Sequence, residues 1–66
     1  MRYLQVGDTV RVDNSSSSSW GERGTVTRIV SHGSFDIVTL DIRARPEDRE
    51  LLMDFSENEI SEPLNS

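Results

Sequence analysis

Two short runs of alternating residues constrain this chain more than any other feature of its sequence. In residues 6–12 the apolar positions Val10 and Val12 alternate with polar ones, and residues 24–30 are rich in β-branched side chains. A period of two is typical of a strand with one buried face, and β-branched residues favour strands. We therefore expect these runs to form the first two strands of a small closed antiparallel β-barrel, with Val10, Val12 and Val26 in its core.

Chain length limits how such a barrel can be stabilised. The sequence has 66 residues, no cysteine and a single histidine, His32. A chain this short forms one domain and buries only about 60% of the surface that its unfolded form exposes. Disulfides are excluded, and a dedicated zinc site, which needs about four ligands, is not expected. Stability must come from the apolar core.

The second and third strands should form a hairpin. Apolar positions in the second strand lose their alternation near Thr27 and Arg28, which predicts a β-bulge where the barrel bends. Residues 31–34 should form the turn, with Gly33 in the left-handed conformation. The third strand is expected over residues 35–42, with one face inside the barrel (Val38, Leu40 and Ile42) and the other outside (Ile37, Thr39 and Asp41). Phe35 and Phe55 are also expected in the core.

The last third of the chain allows two interpretations. Residues 43–49 should form an exposed loop, residues 50–56 a fourth strand with Leu51, Met53 and Phe55 on one side, and residues 56–59 a 3₁₀ turn before a short last strand at Ile60. A helix over residues 46–54 is the alternative, because Pro46 followed by acidic residues is a good helix start. The domain should span residues 1–62, with residues 63–66 frayed.

The connection between the first two strands is unusual in composition. Five consecutive serines, residues 15–19, follow Asn14 and precede Trp20. Serine side chains compete for backbone hydrogen bonds and offer no apolar face, so we expect a mobile loop. Gly21 and Gly24 should form the turn that follows, where a positive φ or a close backbone approach requires glycine.

Three motifs carry a resemblance to a known group of domains. They are Val6-Gly7-Asp8-x-Val10-x-Val12, Gly21-x-x-Gly24-x-Val26-x-x-Ile29 and Phe55-x-x-x-Glu59-Ile60. Together with the loop order, this pattern resembles the small five-stranded SH3-like and KOW-type barrels. Such barrels occur in ribosomal proteins, transcription elongation factors, peripheral subunits of photosynthetic electron-transfer complexes and the variable chain of ferredoxin–thioredoxin reductase. The resemblance implies a fold, whereas function does not follow from it.

Charge is divided unevenly along the chain, whose net charge is −5. Residues 1–45 contain six arginines and five acids, and residues 46–66 contain one arginine and seven acids. There is no lysine, so every basic side chain is a guanidinium, which suits planar contacts with carboxylates or phosphates. KOW domains usually carry basic loops, and the acidic last third departs from that pattern.

No constellation of catalytic residues is recognisable. Acids such as Glu57 and Glu59 fall on a predicted surface turn, and His32 falls in a predicted hairpin turn without an orienting partner. Gly21-x-x-Gly24 lacks the lysine and the helix of a phosphate-binding loop. We therefore expect a protein that is not an enzyme and that uses no cofactor or metal.

The sequence also predicts a location. It has no apolar run of about 18 residues, so no membrane-spanning segment is expected. Its N-terminus lacks the apolar stretch of a signal peptide. A soluble, cytoplasmic protein is the expectation, while the oligomeric state stays open.

Binding is the expected activity. Trp20 could anchor a partner, or its ring could cap the open end of a thin barrel. Arg23, Arg28, Arg43 and Arg45, with Arg11, could form a rim for an anionic partner. The preferred hypothesis is a protein-interaction module, an accessory subunit that docks on a larger complex; the alternative is a KOW-type module that binds RNA or a ribonucleoprotein.

Overall fold

The protein is all-β. The computed structural model describes residues 4–64; residues 1–3 and 65–66 lie outside the described part. It contains β1 (Thr9–Arg11), β2 (Arg23–His32), β3 (Phe35–Asp41), β4 (Leu52–Ser56) and a 3₁₀ helix (Glu57–Glu59). The strands form one open antiparallel sheet in the order β1-β2-β3-β4. The predicted 3₁₀ turn is therefore confirmed, and the helix considered for residues 46–54 is wrong, because residues 43–51 are irregular and β4 follows them.

The segment after the 3₁₀ helix runs along the outer edge of β1. The expected fifth strand at Ile60 is not present as a strand. In its place, Ile60 forms an isolated antiparallel bridge with Val12. Three backbone hydrogen bonds of 2.7–2.8 Å join the two segments: Asp13 N–H to the Glu59 carbonyl, Ser61 N–H to the Arg11 carbonyl, and Leu64 N–H to the Thr9 carbonyl. The chain is thus held to β1 as far as residue 64. The remaining residues of the expected frayed tail, 65 and 66, lie outside the described part.

One face of the sheet forms the core. Eight side chains are buried together: Val10, Val12, Val26, Val38, Leu40, Ile42, Phe55 and Ile60. The inward faces predicted for the first three strands are confirmed, because the strand period of two places these residues on one side. Leu4, from the segment before β1, packs against this cluster.

The predicted irregularity in β2 is present. Val26 pairs with Leu40 and Arg28 with Thr39, so Thr27 is the extra residue of a β-bulge. The Thr27 hydroxyl donates a hydrogen bond to the Thr39 carbonyl at 3.2 Å. Beyond the bulge Ile29 packs against the core, whereas Arg28 lies on the outer face.

Glycine is required at two corners for different reasons. Gly33 has a φ of 63° in the two-residue connection between β2 and β3, which is typical of a type II′ hairpin turn. Gly24 is buried, and a Cβ there would lie 2.8 Å from Ile42 Cγ2 and 3.1 Å from the Asp41 carbonyl oxygen. The close approach that the sequence suggested for Gly24 is therefore confirmed, and β2 can lie against the end of β3 only without a side chain at this point.

Four expected positions differ from the structure. β1 begins at Thr9, since Val6 and Gly7 form a turn, and β4 begins at Leu52, leaving Leu51 52% exposed. Phe35 was expected in the core with Phe55, but it is 46% exposed because it faces outward beside the hairpin turn. Asp41 was expected to face solvent but is buried, because its carboxylate binds Arg43 and the Leu51 N–H.

Candidate functional site

A groove crosses the end of the sheet where β2 begins and β3 ends. It has a volume of about 460 Å³, and its lining includes three of the arginines singled out from the sequence: Arg23, Arg43 and Arg45. We call it the arginine groove. Its other lining residues are Thr9, Gly24, Thr25, Thr27, Asp41, Ala44, Pro46 and Glu50. The antiparallel pairing of β2 with β3 brings Arg23 to the loop that follows β3, although these residues are about twenty positions apart in sequence.

Asp41 binds the guanidinium of Arg43 in this groove. Its Nε lies 2.8 Å and its Nη2 2.6 Å from Asp41 Oδ2. Its Nη1 donates to the carbonyl oxygens of Pro46 and Asp48 at 3.2 and 3.4 Å. One guanidinium therefore closes the loop after β3 on itself, using the fork of donors that only arginine offers.

Buried Asp41 organises the same loop from the other side. Its Oδ1 accepts hydrogen bonds from the backbone N–H groups of Arg43 at 3.1 Å and Leu51 at 3.3 Å. Desolvation alone would raise the pKa of Asp41, but these two N–H groups and the Arg43 guanidinium outweigh it and lower the pKa. The carboxylate is thus fully satisfied, which explains how it can be buried.

The other two arginines of the groove differ in their surroundings. Arg45 lies 3.7 Å from Asp48 and 3.9 Å from Glu47, in pairs that are well exposed. Exposed pairs at such distances contribute little and can exchange for an incoming carboxylate. Within residues 4–64, Arg23 forms no ion pair. The groove therefore offers one unpaired and one loosely paired guanidinium, and its acids offset much of the positive charge.

Arg28 lies on the neighbouring part of the sheet. It lines a wider groove of about 760 Å³ on the outer face of β2, β3 and β4. The outer face is the side of β2, β3 and β4 that points away from the core. Its groove is lined by Thr27, Arg28, Val30, His32, Ile37, Thr39, Leu52 and Asp54. Thr27 lines both grooves, so they adjoin. Arg11 belongs to neither groove and pairs instead with Asp13 at 2.9 Å.

Trp20 is separate from both grooves. Trp20 is 62% exposed and is not among the side chains of the core cluster. It lies in the loop between β1 and β2, where its backbone N–H donates to the Ser17 carbonyl at 3.2 Å.

The serine loop has more internal order than its composition suggested. Ser17 N–H donates to the Asn14 carbonyl at 3.0 Å, and Ser19 N–H donates to the Ser17 hydroxyl at 3.1 Å. Ser19 is buried, with its hydroxyl 3.5 Å from Met53 Sδ. The loop is thus a succession of hydrogen-bonded turns that rests on β4.

A contact that sequence analysis missed ties this loop to the end of the chain. Asn14 Nδ2 donates to Glu59 Oε2 at 2.6 Å, while Glu59 Oε1 accepts the Ser56 N–H at 2.9 Å. The Ser56 N–H and the Asn14 amide lower the pKa of Glu59 and outweigh its desolvation. Ser56-x-x-Glu59 matches the capping-box pattern, which could have indicated the local half of this arrangement but not Asn14.

Across residues 4–64 no three His, Asp or Glu side chains come together as a metal site would require. The imidazole of His32 stacks on Phe35, with ring centroids 6.0 Å apart. No helix in the same part of the chain is long and apolar enough to cross a membrane.

The arginine groove and the outer face are two concave surfaces that the described residues offer to another molecule. Comparison of the chain with protein-family models, with curated proteins and with solved structures found no match.

Proposed function

We propose that this chain is a non-catalytic protein-interaction module that docks as an accessory subunit on a larger complex. The arginine groove carries the proposal: Arg23 is unpaired within residues 4–64, and Arg45 is only loosely paired. A guanidinium binds a carboxylate through two parallel hydrogen bonds. The partner in this proposal is a protein with an acidic segment, which would exchange with Glu47 and Asp48 at Arg45 and bind directly at Arg23.

The proposed fold is an SH3-like barrel. Hydrogen bonds along residues 59–64 support it, because they place this segment beside β1 in the manner of a fifth strand. In such a barrel the groove would lie on the outside, between the start of β2 and the loop after β3. The proposed location is the cytoplasm.

The distribution of charge favours a protein over a nucleic acid. Asp41 neutralises Arg43, Glu50 also lines the groove, and the whole chain carries a net charge of −5. Nucleic-acid binding relies on neutralising several phosphates at once. A groove whose arginines are already offset by acids suits an acidic segment of a protein better, because such a segment needs only one or two guanidiniums.

Co-purification tests the proposal. The tagged chain is recovered from native lysate as wild type, as Arg23→Glu with Arg45→Glu, and as the control Arg49→Glu with Glu22→Arg, which lies outside both grooves. We expect a stoichiometric partner with an acidic segment to be retained by the wild type and the control and lost by the groove variant. Equal recovery with all three chains contradicts the role of the groove.

A KOW-type nucleic-acid module is the second candidate, favoured by the three guanidiniums of one groove. Binding of generic single- and double-stranded RNA, measured from low to physiological salt, separates the candidates. Phosphate contacts would give tight binding at low salt that weakens steeply as salt rises. We expect no such binding; its presence, with loss in the groove variant, would favour the second candidate.

A further inference from the structure

The outer face carries a row of three side chains with a positive charge at one end and a negative charge at the other. Arg28 pairs with Thr39 on β3, and Thr39 pairs with Asp54 on β4, so the three residues lie side by side across three strands. The Thr39 hydroxyl donates to Asp54 Oδ1 at 2.6 Å, which orients the carboxylate. A cation, a hydroxyl and an anion thus follow one another across the sheet.

Apolar side chains surround this row. Val30 and Ile37 are paired on adjacent strands and only partly buried. Leu52 and Phe35 are 49% and 46% exposed, and Phe35 stacks on His32. Val30, Ile37 and Phe35 lie on one side of the row and Leu52 lies on the other. Exposed apolar side chains gathered on one face mark an interface more often than scattered ones do. The part of the chain that the structure describes leaves this surface uncovered.

We propose that the outer face binds a second copy of this chain, in a two-fold symmetric dimer. In such a dimer the same surface is used twice, so the surface must be complementary to itself. An axis that lies between the two sheets and runs along β3 reverses the order of the strands. It therefore places Arg28 of each copy opposite Asp54 of the other, with Thr39 opposite Thr39 and Ile37 opposite Ile37.

The dimensions agree with this arrangement. Stacked sheets pack about 10 Å apart, a gap that an arginine and an aspartate side chain bridge end to end. Strands of aligned packed sheets cross at about 30°, so contacts near the axis keep their register. An axis across the strands instead would place Arg28 opposite Arg28, so the charges select one of the two symmetric arrangements.

Net charge opposes association and makes the dimer a weak one. Each copy carries −5, so two copies repel at low ionic strength. At about 0.15 M salt the screening length is about 8 Å, which reduces this repulsion more than it reduces the close Arg28–Asp54 contacts. The experiment therefore belongs at that salt concentration and at high protein concentration.

Reciprocal charge reversal tests the dimer. Arg28→Asp and Asp54→Arg each place like charges opposite each other, so each should weaken self-association, measured by sedimentation equilibrium, by about tenfold or more. When the two variants are mixed, both contacts become favourable again. We expect a one-to-one heterodimer in the mixture and restored self-association in the chain that carries both substitutions.

Controls separate this contact from net charge and from folding. Arg49→Asp and Glu22→Arg change the net charge equally but lie outside the outer face, and both should associate like the wild type. Circular dichroism confirms that each variant is folded. A wild type that stays monomeric at millimolar concentration, single variants that associate unchanged, or a mixture that stays monomeric would each overturn the proposal. Because the groove arginines are intact in all these chains, failure here leaves the proposed function standing.

Discussion

Asn14 donates its side-chain amide to the carboxylate of Glu59 at 2.6 Å, across 45 positions of the chain. The same carboxylate accepts the Ser56 N–H, and the Glu59 carbonyl accepts the Asp13 N–H at 2.8 Å. One residue thus fixes the start of the serine loop, the start of the 3₁₀ helix and the segment that runs beside β1.

Loss of this contact should destabilise the domain. A hydrogen bond to a charged group contributes about 1.5–3 kcal/mol when buried, and less at a partly exposed site, so Glu59→Gln should lower the free energy of unfolding by about 1–2 kcal/mol. Urea denaturation measures this, with the exposed Glu22→Gln as control. In a double-mutant cycle, Asn14→Ala should cost less in the Glu59→Gln background; strictly additive losses would contradict the coupling.

Stability should fall at acid pH through Asp41 and Glu59. The pKa of each carboxyl is lowered in the folded protein, so folding favours the ionised form. Their contribution is present above the ordinary carboxyl pKa of about 4 and is lost as pH falls through the lowered folded values. In melting experiments from pH 7 downward, Asp41→Asn should be less stable than the wild type at neutral pH, and the difference should narrow below about pH 4. A constant difference would argue against an ionised Asp41.

Gly24→Ala should destabilise by steric conflict. The added Cβ would meet Ile42 Cγ2 at 2.8 Å and Leu40 Cβ at 3.1 Å, and both of those residues are buried. Overpacking of this kind costs about 1–3 kcal/mol, a large fraction of the roughly 3–10 kcal/mol expected for a domain of this length. Chemical denaturation should show the loss, with the exposed Ser31→Ala nearly unchanged. Equal stability of the two variants would show that β2 can move away from β3.

Within the serine run, only some positions should matter. The Ser17 hydroxyl accepts the Ser19 N–H, whereas Ser18 is exposed and its side chain forms no hydrogen bond within residues 4–64. Ser17→Ala should cost about 0.5–1.5 kcal/mol, and Ser18→Ala should cost close to nothing. Thermal unfolding of the two variants compares them directly; if both are neutral, the turns contribute nothing to stability.

Much of the fold follows from local pattern. The period of two placed Val10, Val38 and Leu40 inside correctly, because it depends only on strand geometry. The break in that period at Thr27 likewise predicted the bulge. Asp41 could not be placed in the same way, because its burial depends on Arg43 and Leu51, which the loop after β3 folds back onto it.

The candidate site was predictable only in part. Arg23, Arg43 and Arg45 come together because the β2–β3 pairing sets their positions, and that pairing could be inferred. Arg28 lines the groove of the outer face instead, because it lies beyond the bulge residue Thr27 along β2. The exposure of Trp20 could not be predicted, because the neighbouring residues of a serine-rich turn do not determine whether an aromatic ring points to the core or to solvent.

The bulge at Thr27 bends the sheet without changing which side chains of β2 are buried. Thr27 and Arg28 together face Thr39, so the residues beyond them keep the alternation that a chain without Thr27 would have. A protein that lacks Thr27 should retain Val26 and Ile29 inside and Arg28 outside, and should lose the bend of the strand together with the hydrogen bond from the Thr27 hydroxyl to the Thr39 carbonyl. Removal of this one amino acid would thus leave the pattern of buried residues unchanged and alter the contour of the surface that another molecule contacts.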